Sequence, residues 1–150
     1  LGGTFPADMT QADGNGMFWQ VNVGGDNCIY ELDPNSGKTG NKICPAWGTS
    51  QRGVAYDPDS DTFFAGGWND FTVTRFDRTG AILQQVNTGL AISGLAYNPD
   101  TLHLVVMTNA TPNLVHVLDV ANSYADLGTF SIAGFGDYSG GGIEFGCDGL

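Results

Sequence analysis

Basic side chains are the scarcest feature of this chain. Five lysines and arginines stand against sixteen aspartates and glutamates, a formal charge of −11. A phosphate backbone is bound through Lys and Arg, so nucleic-acid binding is excluded as a function, and anionic membrane surfaces are disfavoured for the same reason. Long apolar runs are also missing. None approaches the ~18–20 residues that a bilayer-spanning helix needs, which argues against membrane insertion. Leu1-Gly2-Gly3-Thr4 is not a charged leader and Met9 is not an obvious start, so the chain is expected to begin mid-protein, as a mature or excised fragment. Helix-forming residues are few, charged residues make up only 14%, and no window sustains an apolar stripe at i, i+3, i+4.

What the chain does contain is glycine, 23 of 150 residues, with an aromatic share of 11%. Aromatic and β-branched runs between Gly-rich turns read as an all-β chain with ample apolar surface to bury. A repeat gives the architecture. Gly53-Val54-Ala55-Tyr56-Asp57-Pro58-Asp59 returns as Gly94-Leu95-Ala96-Tyr97-Asn98-Pro99-Asp100, and a worn copy stands at Gly142-Ile143-Glu144-Phe145-Gly146. A second motif has an aliphatic start, an apolar fourth residue and a terminal Asp. It ends at Asp33, Asp77 and Asp119, at intervals of 44 and 42 residues. Each Asp is suited to open a turn by bonding backbone amides ahead of it.

Four short strands per ~40–45 residues is the signature of a β-propeller blade, and helical repeats of that period would need longer amphipathic segments. The expected architecture is an all-β propeller of four-stranded antiparallel blades. Residues 1–14 are expected as loop or the end of a preceding blade, and 15–150 as a partial propeller with blades at about 15–58, 59–99 and 100–149. The Gly53 and Gly94 strands are expected innermost, where crowded backbones favour a residue without a side chain. Tyr56 and Tyr97 would pack between blades. About three to three and a half blades fall short of the typical four to eight of a closed ring, so either further sequence or further copies would complete it.

Cys28 and Cys44 flank the turn Asp33-Pro34-Asn35-Ser36-Gly37, and the midpoint between them falls at position 36, inside it. That places them opposite one another in a hairpin, within disulfide range, and implies an oxidising compartment. Cys147 has no remaining partner in the chain.

These motifs resemble the repeats of YncE- and NHL-type propellers, on Gly53 to Trp68 and on Gly94 to Asn109 followed by Val115 to Asp119. With Gly141 to Gly149 added, they are most similar to propeller regions of large secreted bacterial proteins, some of which follow subtilisin-type protease domains. The resemblance spans about residues 15–150. It implies a secreted or cell-surface, non-catalytic module for binding or assembly, with a protein or glycan partner and no cofactor.

Candidate chemistry is sparse. Asp57, Asp59 and Asp61 have the odd-position carboxylates of a calcium loop, but Gly is missing at the sixth position and Trp68 stands where a bidentate Glu is required. Turn-making explains them better, with calcium the minor alternative. His103 and His116 lie in strands with no ligand-spaced partner. Gly136-Asp137-Tyr138-Ser139-Gly140 is not a nucleophile elbow. An alternative hydrolase reading, a metal-dependent lactonase-type propeller, would use Glu144, Asn98 and Asp57. Asn109-Ala110-Thr111 is an N-glycosylation sequon on an expected loop. The favoured function is the non-catalytic module, and the structural alternative is a homo-oligomeric ring or filament closed by several chains.

Overall fold

A computed structural model describes residues 5–12, 14–47, 50–132 and 141–146. Twelve strands form three four-stranded antiparallel sheets, each built from strands consecutive in the chain. The first holds β1 (Phe5–Gln11), β2 (Phe18–Val23), β3 (Ile29–Asp33) and β4 (Gly37–Ile43). The second holds β5 (Gly53–Asp57), β6 (Thr62–Gly66), β7 (Thr72–Asp77) and β8 (Ile82–Asn87). The third holds β9 (Ile92–Asn98), β10 (His103–Thr108), β11 (Val115–Asp119) and β12 (Ala125–Phe130), with one 3-10 turn at Val120–Asn122. The all-β, propeller-like arrangement expected from the repeats is present.

Burial falls from the first strand to the last in the second and third sheets, whereas in the first sheet both edge strands, β1 and β4, are largely exposed and β2 and β3 are more buried. β5, β6, β9 and β10 are almost wholly buried, whereas β8 and β12 are largely exposed. The sheets pack face to face. Trp19, Val21 and Ile29 of the first meet Phe63, Ala65 and Phe76 of the second, with Trp19 edge-on to Phe63 at 5.5 Å. Phe64 and Val73, on the opposite face, meet Leu95, Tyr97, Leu104 and Val106 of the third, and the Phe64 and Tyr97 rings lie 5.0 Å apart. Ala96, Val105 and Val115 are covered in turn by Ile132, Ile143 and Phe145. Phe63, Phe64 and Phe76 are fully buried, each stabilising the stack by about 1.5–3 kcal/mol.

The repeated polar residues do build the turns. Asp57 Oδ1 accepts from the Asp59 amide (3.1 Å), and Asn98 Oδ1 from the Asp100 amide (2.9 Å). Both turns close on a left-handed residue, Asp61 and Leu102. Asp33, Asp77 and Asp119 accept from the amides of Asn35, Thr79 and Asn122. The innermost position of the glycine strands follows from distance. A Cβ on Gly53 would lie 2.7 Å from Leu95 Cγ and 3.0 Å from the Gly94 carbonyl carbon, and one on Gly94 would collide with the Gly141 carbonyl oxygen.

Two expectations need correction. The segment 1–14 contains a strand, since β1 runs antiparallel to β2 with Thr10 opposite Trp19. The blade phase is also shifted. The Gly53 and Gly94 strands open their sheets rather than close the preceding ones at 58 and 99, because Asp57-Pro58 and Asn98-Pro99 turn each into the next strand of its own sheet. β4 pairs back onto β3 and ends at Ile43. It is the last strand of the first sheet, and β5, which follows it in the chain, is the first strand of the second.

Cys28 and Cys44 form the expected disulfide, one step beyond the Ile29–Ile43 pair, with Cα atoms 4.4 Å apart. It clips β3 to the outermost strand of the first sheet, at a sequence separation of 16.

Two outcomes test this layout. Gly94→Ala should cost about 1–3 kcal/mol in urea unfolding through forced overpacking, while Leu83→Ala on exposed β8 should stay within about 0.5 kcal/mol. Equal effects would contradict the inner position of Gly94. Removing both Cys28 and Cys44 should cost about 2–4 kcal/mol, and an unreduced peptide map should show them linked.

Candidate functional site at the blade axis

The three sheets converge on their first strands. Asp8 lies ten residues before Phe18, just as Gly53 precedes Phe63 and Gly94 precedes Leu104. It therefore occupies in β1 the position that is glycine in β5 and β9. Lacking room beside the backbone, its side chain runs into the axis. Oδ2 accepts from the amides of Val54 and Leu95, both at 3.0 Å, and Oδ1 from the Met9 amide at 2.9 Å. The equivalent glycine of the last repeat, Gly142, faces the same carboxylate, since a Cβ there would stand 2.5 Å from Oδ1. One side chain thus ties β1 to β5 and β9 and abuts the segment that follows.

Asp8 is only 6% exposed and meets no cation among the described residues. Burial pushes its carboxyl well above the ordinary value of 3.8. The amides of Leu95, Val54 and Met9 pull the other way, and Glu144 adds a further upward push. Glu144 is open to solvent on one side and crowded by protein on the other. Desolvation raises its carboxyl, opposed by hydrogen bonds from the Thr10 hydroxyl and the Phe145 amide. Two carboxyl groups that both resist ionisation therefore share the axis.

Clefts open beside them. One of about 380 Å³ is floored by Asp8 and Glu144, between Gln20 of the first sheet and Gly142. At the ends where the inner strands finish, Tyr56, Pro58, Tyr97 and Pro99 line a cleft of about 280 Å³ that Glu144 also reaches. At the ends where they begin, a smaller cleft of about 190 Å³ lies among Pro6, Arg52, Trp68 and Ser93.

The sequence-derived candidates fall elsewhere. Asp57 is buried against Arg75, with Oδ2 2.6 Å from the guanidinium and accepting also from the Ser60 hydroxyl. Asp61 pairs with Arg78 at 2.6 Å and accepts from the Tyr56 hydroxyl. Arginines and turn amides thus engage Asp57 and Asp61, and Asp59 enters the turn through its amide. The three carboxylates do not converge, and no group of three metal-ligating side chains occurs among the described residues. Asn98 is taken up by its own turn. Of Glu144, Asn98 and Asp57, only Glu144 reaches the axis, where its acidic neighbour is Asp8. His103 and His116 are half-buried strand residues as expected, and His116 Nδ1 lies 2.7 Å from Asp126. Asn109 lies half-buried in the loop after β10, where the sequon was expected. Cys147 and residues 136–140 lie outside the described residues.

The residue missed by sequence reading is Asp8. Its signal was the ten-residue interval to Phe18, concealed because Asp replaces Gly at the head of the motif.

No protein-family model matches the sequence, and no curated protein matches it. Among solved structures the chain is similar to hydrazine synthase from Kuenenia stuttgartiensis, a β-propeller-containing protein. The TM-score is 0.67 at 18% identity, over 96% of this chain and 40% of that one. This likeness concerns the fold, and the chain spans well under half the length of its structural neighbour.

The axis has a pH signature. Because the folded state holds the Asp8 proton more tightly than the unfolded state, this group stabilises most below the ordinary carboxylate value. Its contribution is lost as pH rises toward the folded-state value. Asp26, held down to about 2 by the Tyr30 hydroxyl and then Lys42, and the turn residues Asp33 and Asp77 act with the opposite sign. The informative quantity is therefore a difference. Asp8→Asn keeps an acceptor for Val54 and Leu95 but cannot ionise, so its melting temperature should gain on the unsubstituted protein steadily above pH 4. A gap that is flat with pH would refute the buried carboxyl. Asp8→Ala strands both amides and should cost about 1–3 kcal/mol for each.

Proposed function

We propose that the chain is a non-catalytic propeller segment, secreted or displayed at a cell surface, that works by binding or assembling through its blade faces. It would be a YncE/NHL-like module of the kind carried by large secreted bacterial proteins, some of them attached to subtilisin-type proteases. The Cys28–Cys44 disulfide fits an oxidising environment.

The observation that carries the reading is the uncovered face of the first sheet. Phe18 occupies the position of Phe63 and Leu104, and Leu32 that of Phe76 and Leu118. In the second and third sheets those residues are fully or almost fully buried against the sheet before. In the first sheet Met9, Phe18, Leu32 and Pro34 line an open apolar groove of about 430 Å³, and Met9 is 42% exposed. Apolar positions that are core in two repeats and only half-buried in a third, beside an open apolar groove, call for a cover of the same chemistry, another blade-like sheet. The structural alternative, a ring or filament of several copies, places a second copy of this chain there.

Light scattering on the purified chain tests the reading. Association that Phe18→Glu abolishes without lowering the melting temperature would assign the groove as the joining surface between copies. A monomer at about 100 µM, far above the micromolar range of specific contacts, that binds no apolar dye in the groove would count against both forms of the proposal.

A further inference from the structure

Five basic side chains serve the whole molecule. Lys42 pairs with Asp26, Arg75 with Asp57 and Arg78 with Asp61, while Lys38, exposed on β4, and Arg52 each lie over an aromatic ring, Lys38 at 3.9 Å from Tyr30. Of these two, Arg52 is the half-buried one. Its guanidinium stacks on Trp68 at 3.8 Å and makes no ion pair or hydrogen bond with the described residues. Burial lowers its affinity for the proton, so the charge is held partly dry. The Trp68 Nε1–H beneath it is buried and likewise has no acceptor among the described residues. Both residues line the cleft of about 190 Å³ at the starting ends of the inner strands, with Phe5, Pro6, Ala7, Val23, Ser93 and Gly141 as the other walls.

A partly desolvated guanidinium fork, stacked on an indole ring and without a carboxylate partner among the described residues, is missing an anion. The space sets the size. At about 190 Å³ the cleft has room for a small anion and is far smaller than a nucleotide. The surroundings set the charge. The cleft shares Pro6 and Ala7 with the adjoining axial cleft, and a chain of formal charge −11 repels a dianion more strongly than a monoanion. We infer that Arg52 and Trp68 form a binding site for a single carboxylate at the mouth of the axis, such as the free C-terminus of a peptide. The guanidinium would grip both carboxylate oxygens in the paired geometry that Arg favours. The site does not depend on what covers the first sheet's open face.

The probe is sodium acetate, titrated against sodium chloride at constant ionic strength, with tryptophan emission as readout. The unsubstituted protein should show a saturable change specific to acetate. Arg52→Gln should weaken it at least about tenfold, and Arg52→Lys, which keeps the charge but not the fork, should weaken it by a smaller factor. Trp68→Phe should abolish the emission change, assigning the signal to this ring rather than to Trp19 or Trp47. The inference is overturned if acetate and chloride act alike, or if Arg52→Gln binds as the unsubstituted protein does. It is also overturned if the change survives Trp68→Phe, or if sulfate binds as tightly as acetate.

Discussion

The architecture turns on crowding at the axis. Inner strands that come within a Cβ radius of one another exclude side chains, which is why Gly53 and Gly94 stand where they do. The same closeness leaves inner-edge amides pointing at the axis with no further strand to receive them, and a buried amide without an acceptor is costly. Asp8 answers both demands. It extends along the narrow axis and its carboxylate receives the amides of the two following sheets. The electrostatic tension of the site follows, because a group placed there for its acceptor oxygens brings a charge that burial resists.

Elsewhere the acidic residues do quieter work. Sixteen carboxylates divide among turn openers such as Asp33 and Asp77, partners of the arginines such as Asp57 and Asp61, and the axial pair. The negative surplus is thus partly a by-product of turn chemistry, repeated once per sheet, and that chemistry uses up carboxylates that would otherwise be free to hold a cation. Arg52 stands out against this background because the chain has so little positive charge to leave unengaged.

Fold class was legible because the repeat states it twice, in the glycine strand and in the Asp-terminated strand. The phase of the repeat was not. Whether a glycine strand ends one sheet or begins the next depends on which turn makes a hairpin and which makes a crossing, and both are rich in Gly, Pro and Asp. β1 escaped notice because Phe5-Pro6-Ala7-Asp8 lacks the glycine that marked the other copies. The Cys28–Cys44 link could be read from spacing because a hairpin fixes its own geometry. The calcium-loop spacing at Asp57 was ambiguous in kind: carboxylates two apart are equally the mark of a turn, and the sequence could not show Arg75 of β7 and Arg78 of the turn after it reaching back to them. Arg52 carried no signal at all, since stacking and a missing partner are properties of three dimensions.

The topology also divides the chain by sequence distance. Every sheet is made from strands adjacent in the chain, so its hydrogen bonds close short loops and form without waiting for distant segments. The hydrogen bonds from Val54 and Leu95 to Asp8 are of another order, spanning 46 and 87 residues. As the chain emerges from synthesis, each sheet has all it needs within some forty residues, whereas the carboxylate of the first must remain hydrated until the third arrives. The wet-to-dry transition of Asp8 is therefore the event that records completion of the assembly, a checkpoint written into the eighth residue and read only after the ninety-fifth.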